Sequence, residues 1–163
     1  MLENQNRNLW DQERIKEGVA LVERALAMHR PAPYALQAAI AALHAEAPSA
    51  AQTDWPQIVA LYDVLAGIDP SPVVELNRAV AVAMRDGPQA GLQLIQSIMK
   101  NGELEAYHLA HAAQADLYRR LGKKDEAAKA YKRALALSKQ EPERRFLERR
   151  LAEMSKPGGS VRL

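Results

Sequence analysis

Apolar side chains recur every three to four positions along most of this chain, the spacing of a helix with one buried face. Prolines and glycines break the recurrence at short intervals, and the pattern predicts about eight helical segments joined by tight turns. The first segment runs from Asp11, a suitable N-cap, to Arg30, with Ile15, Val19, Val22 and Leu26 on one face, and Pro31 closes it. Pro33 suits the first turn of the second, whose stripe is Leu36, Ile40 and Leu43. After the link from Pro48 to Gln52, a third segment starts at Thr53 or Asp54. It tolerates Pro56 because first-turn amides have no helical acceptor, carries Ile58, Leu61, Tyr62 and Leu65, and stops before Pro70.

Ser71-Pro72 supplies cap and first-turn proline for a fourth segment, striped by Val73, Val80 and Met84 with Asn77 among them. Gly87-Pro88 ends that helix and opens a fifth, with Leu94, Ile95 and Ile98 inward, which Asn101-Gly102 terminates. The sixth, seventh and eighth are expected at Leu104 to Leu121, Lys124 to Lys139 and Pro142 to Met154. The eighth turns Phe146, Leu147, Leu151 and Met154 inward and Arg144, Arg145, Arg149 and Arg150 largely outward, as a solvating cap would. Residues 156–163, with Pro157-Gly158-Gly159, carry too little apolar surface to pack and read as a flexible tail.

Helices this short must bury their stripes against neighbours, and consecutive hairpins do so by stacking. One stretch spells out such a unit: Tyr118, Leu121 and Gly122 are followed by Ala127, Tyr131 and Ala134. This matches the second half of the tetratricopeptide pattern, a 34-residue helix–turn–helix repeat in which small residues sit at close helix contacts and aromatics fill the gaps. Earlier pairs fit more loosely: the fourth and fifth segments keep Gly87, Ala90 and Leu94, and the third keeps Tyr62 and its terminal Pro70. The fold expected is all-α, about eight antiparallel helices stacked as a tetratricopeptide-like right-handed array over residues 11–155, preceded by a linker at residues 1–10.

Composition agrees with helix. Ala and Leu supply 30 and 20 of the 163 positions, against 9 Val, 6 Ile and 1 Thr, so strong helix formers far outnumber β-branched residues. The absence of Cys removes disulfides, thiolate metal sites and Cys nucleophiles, and fits a reducing compartment. Apolar runs reach only six residues, well short of the roughly 20 a spanning helix needs, and no signal peptide is visible, so a cytoplasmic protein with no membrane partner is expected. Net charge is only +2, yet residues 1–118 hold 8 basic and 14 acidic side chains while residues 119–163 hold 14 and 6.

Motifs for chemistry are sparse. Gly122-Lys123 resembles part of a phosphate-binding loop, but Leu117 stands where its first glycine belongs, and no G-x-S-x-G elbow exists for a Ser nucleophile. His108 and His111 can share a helical face, yet a metal would need a third ligand such as Asp116. The plainer expectation is that His111 packs between helices while His108 lies nearer the surface. His44 at the end of the second helix suits a cation facing the helix dipole, and Glu103 with Glu105 suit the positive end of the sixth helix. Asn77, an amide within an apolar stripe, is expected either to lock neighbouring helices or to line a groove, the lock being favoured. The basic C-terminal quarter invites phosphate. Its charges, however, fall at helical spacing as Glu141 with Arg145, Arg144 with Glu148 and Arg149 with Glu153, and its aromatics occupy core positions, so no direct nucleic-acid contact by this chain is expected. No enzyme activity, cofactor or metal is expected.

Longer strings carry a further signal. In order they are Gln5-Asn6-Arg7 with Trp10-Asp11, Pro33-Tyr34 with Leu36-Gln37-Ala38-Ala39-Ile40, His44-Ala45-Glu46-Ala47, and Thr53-Asp54-Trp55 with Ile58, Leu61 and Tyr62. They continue as Leu76-Asn77-Arg78-Ala79-Val80-Ala81, Tyr107 with His111-Ala112, Ala115-Asp116-Leu117 with Leu121-Gly122, and Glu143-Arg144 with Phe146-Leu147. Together, over residues 4–154, the chain resembles the tetratricopeptide-like C-terminal extension of a subgroup of bacterial extracytoplasmic-function sigma factors. The resemblance implies a non-catalytic regulatory module for transcription initiation, whose partners are the promoter-binding sigma regions or the RNA polymerase core. No promoter-reading segment precedes Gln5, so this chain is expected to be a piece of a longer protein. By repeat geometry, Asn77, Arg78, His111, Asp116 and Arg120 are the candidates for a partner-binding groove. A freestanding adaptor is the competing reading, and a small hydrolase or metal-dependent enzyme stands behind both.

Overall fold

The structure, a computed structural model, describes residues 7–27 and 32–155. Among these are eight α-helices and no strand: α1 (Gln12–Leu26), α2 (Pro33–Glu46), α3 (Trp55–Ile68), α4 (Pro72–Asp86), α5 (Pro88–Lys100), α6 (His108–Arg120), α7 (Lys124–Leu137) and α8 (Glu141–Ser155). Short 3₁₀ turns occupy Arg7–Leu9 and Ala50–Gln52. The all-α, tetratricopeptide-like expectation holds.

Local chemistry sets the helix starts. The Asp11 carboxylate accepts from the Arg14 amide at 3.1 Å, Asp54 from Gln57 at 3.0 Å, and the Ser71 hydroxyl from Val74 at 3.2 Å. Each satisfies an amide that has no partner within its own helix. Pro33, Pro56, Pro72 and Pro88 all fall in first turns, where a missing N–H costs nothing. Between Asp54 and Thr53 the cap is therefore Asp54; Thr53 is buried one residue earlier. At the other end of α6 the chain turns through Gly122 at φ +75°. The Gly122 amide donates to Arg119 O at 3.0 Å and the Lys123 amide to Tyr118 O at 2.9 Å, the paired bonds of a Schellman motif. A Cβ at Gly122 would meet no atom within 4 Å, so the left-handed backbone alone makes glycine the favoured residue here, by about 1–2 kcal/mol.

Several boundaries and faces differ from the sequence expectation. Helix α6 begins at His108, not Leu104; residues 101–106 form a turn in which the Tyr107 amide bonds to Leu104 O at 3.0 Å and Leu104 drops into the interior from outside any helix. Glu103 and Glu105 thus lie exposed in that turn and not in the first turn of α6. Helix α7 stops at Leu137, with Ser138 extended as its C-cap. The end expected for the first helix, at Arg30, and the 156–163 tail lie outside the described residues. The largest change concerns α4. Val73 is 39% exposed and Asn77 is exposed, whereas Val74, Leu76, Ala79, Ala81, Val82 and Ala83 are buried. Apolar residues surround this helix on most sides, so spacing alone does not select which face turns inward.

The chain divides into two compact units, residues 1–81 and 82–163, with the division inside α4. In the first unit α1 packs on α2 and α2 on α3. Its core joins Leu36, Leu65 and Val74, backed by Leu26, Leu61 and Tyr62. No residue of α1 is fully buried.

In the second unit α5, α6, α7 and α8 pack in sequence, each on the next. Its core sets Tyr131 and Leu147 among Ala115, Ala127, Ala130 and Ala134, three of which (Ala115, Ala127 and Ala134) have no exposed surface. Small residues let the α6 and α7 backbones approach, and the one large aromatic fills the space that remains. Tyr118 braces the other side: its hydroxyl accepts from Gln96 Nε2 of α5 at 3.0 Å.

Tyr131 is 1% exposed, and its buried hydroxyl interacts with the Arg119 guanidinium without a well-aligned hydrogen bond. Truncation and hydroxyl removal therefore separate cleanly. Tyr131→Ala should cost about 3–5 kcal/mol through the cavity it opens. Tyr131→Phe should cost no more than about 1 kcal/mol, because the hydroxyl it deletes has only a poorly aligned interaction with the Arg119 guanidinium. Urea unfolding of both variants measures the pair; a Phe variant as unstable as the Ala variant would show that the hydroxyl, not the ring, holds the core.

Candidate partner-binding site

Of the five residues expected at a partner-binding groove, two belong to the first unit and three to the second. Helix α4 carries Asn77 and Arg78. Asn77 is exposed and makes no hydrogen bond within the described residues, so it is not the buried lock favoured on the sequence; the turn of α4 that buries Val74 and Leu76 places it outside. Arg78, its side chain 29% exposed, donates from Nε to Asp63 Oδ1 of α3 at 2.6 Å and lies 3.9 Å from Glu75. This pair ties α4 to α3.

Asn77 lines a groove of about 620 Å³ built by α2, α3 and α4. Ile40, Leu65 and Val74 are the buried residues of its lining, and Gln37, Tyr62 and Asp69 add polar groups around them. His44 also faces it, with its ring edge-on to Trp55 at 5.2 Å between centroids. Burial, and then the Arg7 guanidinium, holds the His44 imidazole below its ordinary pKa of 6.5. The expected cation at the end of α2 is thus replaced by an imidazole biased to its neutral form, because desolvation and a nearby positive charge outweigh the helix dipole. Arg7 spends one of its donors on the Ala47 carbonyl just past α2.

The three residues of the second unit are used differently. His111 is buried, and its Nε2 lies 2.9 Å from Glu105 O; a carbonyl only accepts, so Nε2 carries the proton. That bond pins the turn before α6 to the helix. Asp116 Oδ1 receives both Nη2 and Nε of Arg119 at 2.6 and 3.1 Å. Burial, with the Asp116 charge adding to it, raises the pKa of Tyr131. Arg120 is exposed, its Nη1 3.2 Å from Met84 Sδ. His108 does not join His111: its Nε2 sits 2.9 Å from Glu143 Oε2 of α8, an ion-pair distance without hydrogen-bond alignment. Among the described residues no three His, Asp or Glu side chains converge as a metal site would require.

Charges on α8 follow the expected pairing once and depart from it twice. Arg145 donates to Glu141 at 2.9 Å as the spacing implied. Glu153 pairs with Arg150 at 3.0 Å, not with Arg149, and the Arg150 guanidinium also covers the Phe146 ring at 5.3 Å. Arg144, expected to meet Glu148, instead donates from Nη1 to Leu135 O at 2.9 Å and Ser138 O at 3.1 Å. It satisfies carbonyls at the end of α7, which have no intrahelical partner. Arg144 and Arg150 are accordingly half-buried and not solvated. A basic residue three positions into a helix gives no hint that it caps the previous one, because the contact depends on the turn between them.

Comparison with known proteins places a tetratricopeptide repeat at residues 110–145, which spans α6, α7 and the start of α8. The chain is a tetratricopeptide-like helical protein. It is also 40% identical, over 161 residues, to an uncharacterized protein of Rhizobium meliloti (strain 1021). That alignment takes in 99% of this chain but only 38% of the relative, so the chain spans well under half the length of that protein. Among the described residues no helix is long and apolar enough to cross a membrane.

The lowered pKa of His44 predicts a pH dependence. The unfolded chain takes up a proton near pH 6.5 while the folded chain does so only at lower pH, so this contribution to stability is present above 6.5 and is lost as pH falls below it. Thermal unfolding at pH 7 and pH 5 should show a drop that is smaller in His44→Gln. Equal drops in both proteins would contradict the assignment.

Proposed function

We propose that this chain is a regulatory protein-interaction module of a bacterial extracytoplasmic-function sigma factor, acting in transcription initiation without catalysis. The observation that carries the interaction role is the tetratricopeptide repeat of α6 and α7, a unit that builds scaffolds and not reaction centres. The sigma-factor assignment is supported by the ordered strings from Gln5 to Leu147 and by their continuity across residues 4–154. A relative that aligns with nearly all of this chain and extends far beyond it is compatible with a module attached to other regions. In this reading residues 11–155 form the module, and the segments expected at its two ends lie largely outside the described residues. The protein works in the cytoplasm without cofactor, metal or direct nucleic-acid contact.

Partners are the promoter-binding sigma regions or the polymerase core, and the contact residues are Asn77, Arg78, His111, Asp116 and Arg120. Arg120 is the freest cation of the five, and Asn77 the freest amide. Asp116 and Arg78 hold their elements in place as well as offering polar surface, whereas His111 is buried and acts by holding the turn before α6.

Binding of the purified chain to immobilised sigma regions and to core polymerase tests the proposal. The wild type should bind at least one of them. The pair Arg78→Gln and Arg120→Glu should weaken that binding about tenfold, the effect of losing about 1.4 kcal/mol, while the chain stays folded and loses only the stability of the Arg78–Asp63 pair, about 1 kcal/mol or less. Gln is chosen at position 78 because a third carboxylate beside Asp63 and Glu75 would repel. Absence of wild-type binding refutes the sigma-factor assignment, and full binding by the double variant refutes the contact residues.

A further inference from the structure

A second groove, of about 350 Å³, runs along the α1–α2 hairpin. Ile15, Gly18, Val19 and Val22 of α1 form one wall and four alanines of α2, from Ala38 to Ala45, form the other; among the described residues its lining holds no polar side chain. None of the α1 residues is fully buried, so the hairpin leaves its own apolar stripe half open. Two large side chains stand in solvent beside it: Leu21, 52% exposed, three positions after Gly18, and Tyr34, 84% exposed, four positions before Ala38. That spacing puts each on the helical row that continues a wall of the groove. The last helix, α8, turns Arg145, Glu148 and Arg149 outward, the polar cover that a terminal helix of a stacked array needs. On this face α1, the first described helix, has no such cover.

The face holds a projection and a recess of matching apolar character, which is what a two-fold contact asks of a single surface. Its spacing is symmetric as well: Tyr34, Ala38, Ala41 and Ala45 are separated by four, three and four positions. A two-fold axis between Ala38 and Ala41 sets Tyr34 over Ala45 of a second copy. The groove has room for the ring, since pockets from about 300 Å³ upward hold whole small ligands. Charge does not oppose the pairing. Helix α1 balances Glu13, Glu17 and Glu23 with Arg14, Lys16 and Arg24, so two copies meet without net repulsion and a strongly charged partner gains nothing. Two helices about 22 Å long and about 9 Å apart offer roughly 400 Å² in projection, about half of a standard interface, so the contact is weak and reversible. We propose that this face joins two copies of the chain in a weak homodimer, with Tyr34 of each copy seated in the α1–α2 groove of the other. The inference does not depend on the sigma-factor reading, and either can fail alone.

Sedimentation equilibrium of the full chain from about 5 μM to about 1 mM gives the test, and the wild type should dimerise with a Kd of about 10–500 μM, as an interface this small implies. Tyr34→Ser should weaken the dimer about tenfold, and Ala38→Glu, which brings two carboxylates together near the axis, should leave the chain monomeric throughout the range. Both positions are exposed, so circular dichroism of either variant at the lowest concentration should match the wild type. Leu109→Ser, at an exposed apolar position of α6, should dimerise as the wild type does. A wild type that stays monomeric at the highest concentration overturns the proposal and leaves the face to another part of a longer chain. Self-association that survives both Tyr34→Ser and Ala38→Glu, or that Leu109→Ser abolishes, overturns it equally.

Discussion

How closely two helices can approach is decided by the side chains trapped between them, and in the second unit those side chains are mostly single methyl groups. Ala115 on α6 and Ala127, Ala130 and Ala134 on α7 leave no space for solvent, and Tyr131 occupies the one wide gap. Such an interface gains little from each residue and much from fit, since packing near crystal density makes every added or missing methylene felt. Other features of the unit accommodate that approach. Gly122 in a left-handed conformation reverses the chain in the shortest span, Tyr118 reaches back to Gln96, and Arg144 closes the exposed end of α7.

The first unit solves the same problem with less. Its core is a smaller cluster around Leu36, Leu65 and Val74, and α1 buries no residue completely. Loose cover at this end leaves room for the groove lined by Gln37, Asp69 and Asn77, so the part of the chain with the less regular repeat is also the part with polar groups free to meet a partner. The opposite signs of residues 1–81 and 82–163, −4 and +6, give the units different electrostatic preferences without a single dedicated charged site.

What the sequence disclosed and what it hid divide along physical lines. Caps at Asp11, Asp54 and Ser71, first-turn prolines and the turn at Gly122 depend on neighbours a few residues away, and all were legible. The repeat residues Ala127, Tyr131 and Ala134 were legible because their spacing repeats a packing rule. The inward face of α4 was not, since apolar residues lie on most sides of that helix and only its neighbours choose among them. For the same reason Asn77 was expected inside and lies outside. His44 was misjudged through what surrounds it: Trp55 and Arg7 are remote in sequence from the helix end whose dipole suggested a cation. Pairings on α8 failed where i to i+4 spacing competed with a longer reach, as Arg144 shows by leaving Glu148 for two backbone carbonyls.

Close contact of α6 and α7 through small side chains is the claim on which the fold of the second unit turns, and enlarging one of them probes it most directly. Ala127 is fully buried against this interface. Equilibrium unfolding of Ala127→Val in urea should show a loss of about 1–3 kcal/mol, the usual cost of overfilling a packed core. Stability equal to or above that of the parent protein would mean that α6 and α7 do not meet at Ala127.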